Sequence, residues 1–198
     1  MALLERPTGE TFHKRSIGVL ETARLVLRAP RIEDVKAIAS LANDRRVAEM
    51  TARMPHPYRE ADAEQFVARA NASDIETAFA IALSDGTLIG GCGFGKFRGD
   101  APEIGYWLGV SYWGRGYATE AARALIDHAF TDHGYEKLVA GARVNNPASR
   151  RVLEKCGFQW TGVELRRVRA IASSAPVDRF RLDLGLWKSL RSWGDRTA

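Results

Sequence analysis

Glu103-Ile104-Gly105-Tyr106-Trp107-Leu108-Gly109-Val110 runs through Tyr112-Trp113-Gly114-Arg115-Gly116 into Tyr117-Ala118-Thr119-Glu120-Ala121, and this stretch decides the fold. Residues 103–110 have the short, mostly apolar make-up of a strand. From Tyr117 to His133, Ala118, Ala121, Ala122, Leu125, Ile126 and Ala129 form one stripe, with Glu120, Arg123, Asp127 and Thr131 opposite. That is the 3.6-residue period of an amphipathic helix, and Gly134 is its stop. Lys137 to Val144 reads as a short apolar strand of the kind buried on both faces. Strand, helix and strand in this order make a βαβ unit, whose parallel strands cross over right-handed.

Working outward, Ala23 to Arg28 alternates polar and apolar residues as a half-buried strand does, and Pro30 stops it. Ile32 to Met50 carries apolar residues at helical spacing and breaks at Asn43-Asp44, which predicts a helical pair. Met54 to Tyr58 is a proline-rich loop, and Arg59 to Ala70 offers Ala63, Phe66, Val67 and Ala70 at i, i+3, i+4, i+7. Thr77 to Leu83 and Thr87 to Phe97 are strands joined by an Asp-Gly hairpin turn at Ser84-Asp85-Gly86. Beyond the central unit, Asn146-Pro147 opens a helix that Gly157 closes. Strands near Phe158 to Val168 and Val177 to Leu186 follow, then a short helix from Leu186 to Trp193. The fold class is mixed α/β. One domain is expected over 1–198, with its core at about 22–190 and with 1–20 and 191–198 peripheral.

A chain of 198 residues, 45% hydrophobic and 27% charged, is long enough to bury one sizeable core. No stretch approaches the roughly 18 consecutive apolar residues of a membrane span. Met1 to Pro7 is charged too soon for a signal peptide, so the expected address is the cytoplasm. Cys92 and Cys156 are far apart in sequence, which argues against a disulfide framework or a paired-cysteine metal site, and no metal is expected. The four histidines are dispersed, and none is assigned to catalysis. A net charge of +5 favours anionic partners. The basic residues are scattered rather than gathered into an arm, so direct nucleic-acid binding is not expected.

Gly114-Arg115-Gly116-Tyr117-Ala118 lies between strand and helix, where successive backbone N–H groups and a positive helix end can meet a diphosphate with no Cβ in the way. It is neither Gly-x-Gly-x-x-Gly nor a Walker loop, which weighs against nicotinamide and nucleoside-triphosphate cofactors. Taken alone, glycines at such a connection serve a turn as readily as a ligand. Three ordered motifs add to it: Glu103 to Leu108, Tyr112 to Ala121, and Asn146-Pro147-Ala148-Ser149 with Val152-Leu153-Glu154-Lys155-Cys156-Gly157-Phe158. Together they resemble the GNAT acetyltransferases, and within them the branch of the ribosomal-protein alanine N-terminal acetyltransferases. The resemblance runs from about Thr22 to Trp187. Trp113 stands where the superfamily's pyrophosphate motif usually has Gln or Arg.

The resemblance implies a central twisted, mostly antiparallel sheet whose parallel βαβ pair forms a cofactor cleft, flanked by helices. It implies acetyl-coenzyme A as co-substrate and direct transfer to an amine, with a ribosomal or other protein N-terminus as the expected acceptor. A small-molecule amine is the runner-up, and a non-catalytic acyl-coenzyme A sensor the alternative class. The pyrophosphate contacts implied are Arg115, Gly116, Tyr117, Ala118 and Thr119, while Leu108, Gly109 and Val110 pair with the pantetheine arm as an added strand does. Asn146 either binds the cofactor arm or caps its helix. Ser149 is the candidate donor to the departing thiolate. Glu103, on the strand face it shares with Gly105 and Trp107, is the candidate general base, directly or through water. Tyr106 and Trp107 are candidate walls of the acceptor cleft. A monomer or a homodimer is expected.

Overall fold

A computed structural model describes residues 18–73, 76–96, 99 and 101–194. Its centre is one eight-stranded sheet. The strands are β1 (Leu20–Glu21), β2 (Leu25–Arg28), β3 (Glu76–Leu83), β4 (Leu88–Gly95), β5 (Glu103–Leu108), β6 (Lys137–Arg143), β7 (Gln159–Val168) and β8 (Ser173–Asp183). They lie in the order β1-β2-β3-β4-β5-β6-β8-β7. Every neighbouring pair is antiparallel except β5 and β6. The mixed α/β architecture with its parallel βαβ pair is therefore as the sequence predicts.

Two apolar layers sandwich the sheet. On one face α4 (Tyr117–Thr131) and α5 (Pro147–Lys155) press Ala121, Leu125, Ile126 and Leu153 against Phe79, Ile89, Ile104, Leu138 and Phe180. On the other, α1 (Val35–Ala42) and α3 (Glu60–Ala72) bring Ile38, Ala42, Ala63 and Val67 onto Ala80 and Leu88. Each large side chain buried this way contributes about 1.5–3 kcal/mol. The predicted α4 stripe holds: Ala121, Ala122, Leu125 and Ala129 are fully buried.

Several boundaries move for local reasons. The break at Asn43-Asp44 is real. Asp44 caps the short α2 (Arg45–Ala48) by accepting from the Arg46 N–H, while Asn43 Oδ1 accepts from Tyr58 N–H. β5 ends at Leu108 rather than Val110, because Val110–Tyr112 tightens into a 3-10 turn. α4 stops at Thr131, before His133. β8 starts at Ser173, before Val177, since β7 and β8 form one long hairpin turning at Arg169–Ile171. α6 (Leu184–Gly194) then follows directly. The predicted strand end at Phe97, and the outer parts of the peripheral termini, lie outside the described residues.

Candidate active site

β5 and β6 pair only at Glu103–Val139 and Ile104–Ala140. Beyond those two positions the parallel strands part, and the opening is lined from one side by α4 and α5 and from the other by the α2–α3 region and the β7–β8 hairpin. Strand alternation sorts the walls. Ile104 and Leu108 pack into the α4 and α5 layer, with Tyr106 against it, whereas Trp107 packs with α1 and α3. Tyr106 and Trp107 therefore stand on opposite faces rather than side by side. Gly91 makes room for Trp107, since a Cβ there would sit 2.9 Å from the indole nitrogen.

The cradle is a backbone structure. Gly114 and Gly116 have φ of 75° and 83°, the left-handed region that side-chain-bearing residues avoid. Gly116 caps α4, and its carbonyl accepts from Thr119 and Glu120 N–H. The N–H groups of Tyr117 and Ala118 are left at the positive helix end. A clamp from the far edge of the sheet fixes this loop. Arg24 donates to the Arg115 carbonyl at 3.1 Å and to Glu120 Oε2 at 2.8 Å, Thr22 Oγ1 donates to Glu120 Oε1 at 2.7 Å, and the Arg24 guanidinium lies 4.7 Å from the Tyr117 ring centre. Burial alone raises the Glu120 pKa, but the hydrogen bonds from Thr22 and Arg24 hold it below its ordinary value. The sequence reading missed Arg24 and Glu120, because nothing local links positions 96 residues apart.

The end of β5 is more divided than the motif suggests. Gly109 N–H donates to Ile89 on β4 at 2.9 Å, so this residue faces its neighbour strand. Alternation then turns the backbone of Leu108 and Val110 toward the gap. The Leu108 carbonyl accepts from Trp113 Nε1 at 2.8 Å. Trp113 thus braces the cradle against the strand in place of a polar side chain.

On α5, Asn146 Oδ1 accepts from Ser149 N–H at 3.1 Å, which is an N-cap. Its Nδ2 makes no hydrogen bond among the described residues, so the side chain caps with one end and offers the other. Tyr106 reaches across from β5, its hydroxyl 3.0 Å from Ser149 Oγ and 3.1 Å from the Ser149 carbonyl. Burial pushes the Tyr106 phenol above its ordinary pKa, against the opposing pull of the Ser149 hydrogen bond, so it is protonated at neutral pH. A donor to the serine was not in the sequence reading, although the alternation of β5 does put residue 106 on this face.

Glu103 stands on the opposite wall. Arg166 holds it with two hydrogen bonds, Nη1 to Oε1 at 2.6 Å and Nη2 to Oε2 at 2.9 Å, and Arg179 adds a third contact at 3.3 Å. Glu164 completes the cluster through Arg166. Gly141 leaves room for the cluster, since a Cβ on it would lie 3.0 Å from Val177 Cγ1 and 3.3 Å from Arg179 Nη1, beside Glu103. Both cysteines are buried. Burial pushes the Cys156 thiol up to about 11 and that of Cys92 higher still, so neither is a thiolate at neutral pH.

A split parallel pair, a glycine turn at a helix N-terminus and a serine on the next helix fit an acyl-coenzyme A-dependent transferase. The family model "Acetyltransferase (GNAT) domain" matches residues 24–159, and the chain belongs to that family. It is an acetyl-coenzyme A-dependent N-acetyltransferase. The uncharacterized N-acetyltransferase p20 of Bacillus licheniformis is 30% identical over 149 residues, which are 73% of this chain and 84% of that one. The ribosomal-protein-serine acetyltransferase of Escherichia coli is 37% identical over 73 residues, 36% of this chain and 41% of that one. The spermidine N-acetyltransferase of Vibrio cholerae, solved with coenzyme A and spermine, shares the fold at a TM-score of 0.72 and 21% identity, over 84% of this chain and 99% of that one. Among the described residues no helix is long and apolar enough to cross a membrane.

Proposed function

We propose that this enzyme acetylates the α-amino group of a protein or peptide N-terminus. The observation that carries this reading is the state of Glu103. Arg166 and Arg179 already donate to its carboxylate oxygens, and among the described residues the cleft is lined by no histidine and by no carboxylate without a partner, so no free base stands ready to strip a proton from a lysine-like ammonium. An α-amine with a pKa near 8 is about a tenth neutral at pH 7, whereas a lysine near 10.4 is neutral less than about one part in a thousand. The site suits an acceptor that arrives partly deprotonated. The ribosomal-protein-serine acetyltransferase among its relatives supports the same class.

The cradle fits a diphosphate, because its two left-handed glycines present no Cβ and, among the described residues, the N–H groups of residues 114–118 donate to no carbonyl. Gly116, Tyr117, Ala118 and Thr119, with Arg115 beside them, would hold the pyrophosphate. Leu108, Val110 and Asn146 Nδ2 would flank the arm. The bound thioester supplies the acyl carbon. Ser149 donates a hydrogen bond to the departing thiolate sulfur, with Tyr106 fixing its rotamer and replenishing its proton. Glu103 accepts the amine proton through a water on the opposite wall.

Release of free thiol with matched peptides tests this reading. Peptides with free N-termini should show higher kcat/KM than the same peptides blocked at the N-terminus but retaining an internal lysine. Preference for the blocked peptides, or for a polyamine, would reject the α-amine acceptor.

A further inference from the structure

The cleft wall on the Glu103 side carries more positive charge than an amine-binding site needs. Among the described residues, nine arginines and one lysine line the cleft, against four carboxylates, Glu49, Asp62, Glu76 and Glu103. Those carboxylates are already engaged. Glu49 pairs with Arg45, Glu76 with Arg53 and Glu103 with Arg166, while Asp62 accepts from the Arg59 N–H. Arg151 and Lys155 lie on α5 beside the cofactor's side of the split and can be set apart. On the other wall Arg69, Arg143, Arg167 and Arg169 make no ion pair among the described residues.

Two of these are positioned rather than loose. Arg143 extends from β6 on the face of Gly141 and Glu103. Its Nη1 donates to the Glu49 carbonyl at 2.7 Å, yet its Nε is buried with no partner. A buried guanidinium nitrogen with nothing to donate to is a costly feature unless a ligand completes it. Arg169, at the β7–β8 turn, ties that turn to the loop after α2: its N–H donates to the Ala52 carbonyl at 3.1 Å and its Nη1 to the Arg53 carbonyl at 3.2 Å. Three separate segments, residues 49–53, β6 and the β7–β8 turn, thus meet at a mouth whose cations are held in place and whose charge is unmatched.

Such a mouth repels a polyamine or a lysine-rich peptide and attracts carboxylates. We propose that the acceptor is an acidic peptide, one with Asp or Glu within the first few residues after its amine, and that Arg143 and Arg169 select it. This rests on the α-amine reading above. The spacing agrees with it. Gly141 lies against Glu103, and Arg143 is two strand residues further on, about 7 Å, the reach of two residues of extended peptide. An amine near Glu103 therefore leaves the side chains at positions two and three beside Arg143.

The test uses the full chain with acetyl-coenzyme A and four acceptors: a peptide with Glu at positions two and three, its Gln counterpart, its Lys counterpart, and spermidine. The Glu peptide should exceed the Gln peptide in kcat/KM by about 10-fold or more at low salt, a margin that narrows as salt rises. Arg143→Gln should erase most of that ratio without changing the affinity for acetyl-coenzyme A. Arg169→Gln, at an exposed position, should halve it or better and serves if the first variant folds poorly. Equal use of Glu and Gln peptides overturns this proposal and leaves the α-amine reading standing. Preference for the Lys peptide with the acetyl group on its α-nitrogen likewise overturns this proposal alone, whereas acetyl on its lysine side chains, preference for spermidine, or turnover of no peptide at all overturns both.

Discussion

The two ends of the cleft are built from different materials. The end proposed for the cofactor is backbone: left-handed glycines, a helix N-terminus and N–H groups, fixed from outside by Arg24 and Glu120. The end proposed for the acceptor is side chain: Glu103, Arg143, Arg166 and Arg169, delivered by three strands and a turn. A backbone site has to be written as a contiguous run of permissive residues, so it leaves a motif. A side-chain site needs only that distant residues converge. On the proposed function, the first kind would hold acetyl-coenzyme A and the second would choose the acceptor.

If this contrast is right, the largest single loss comes from the backbone. Gly116→Val should weaken acetyl-coenzyme A binding on the order of 100-fold, because a branched residue resists the left-handed conformation and fills the diphosphate's place. Calorimetry on a variant with an unchanged far-ultraviolet spectrum checks it. Near-normal affinity would show that the cradle tolerates a side chain.

Next comes the serine between the two ends. Ser149→Ala should lower kcat about 10- to 100-fold with little change in cofactor affinity, since the hydrogen bond proposed for it forms fully only as the thiolate departs. Unchanged kcat would take Ser149 out of the transfer step. Tyr106→Phe should lower kcat by a smaller factor, about 3- to 10-fold, the worth of one hydrogen bond. A Tyr106→Phe enzyme matching the parent in kcat would remove the phenol from the proton path.

This ordering mirrors what the sequence disclosed. The βαβ unit, the α4 stripe, the glycine turn and Asn146 to Ser149 were all legible, because each is a local pattern of period, cap or turn. Glu103 was legible as a residue but not in its state. Arg166 lies 63 positions away on β7, which β6 and β8 separate from β5 in the sheet, and no periodicity announces that its side chain reaches Glu103. Likewise the 3-10 turn at Val110–Tyr112 reads in sequence as more strand, since tertiary bracing by Trp113 rather than propensity ends β5 there.

The smallest effect is expected in the clamp. The Glu120 carboxyl titrates below its ordinary range when folded, so its bonds to Thr22 and Arg24 stabilise the protein above the unfolded pKa of about 4.3 and are lost as pH falls through the folded value. Glu120→Gln should lower Tm by about 2–4 °C at pH 7, and the gap should narrow as the pH falls below the unfolded value. A gap that persisted at acid pH would assign the loss to packing rather than charge.

Locating the acetyl group tests the central claim most directly. A single peptide with a free N-terminus, Glu at positions two and three and an internal lysine is incubated with enzyme and acetyl-coenzyme A, and fragment-ion mass spectrometry assigns the modified nitrogen. Acetylation of the α-nitrogen with the lysine untouched is the predicted result. Acetyl on the lysine while the N-terminus stays free would contradict the account.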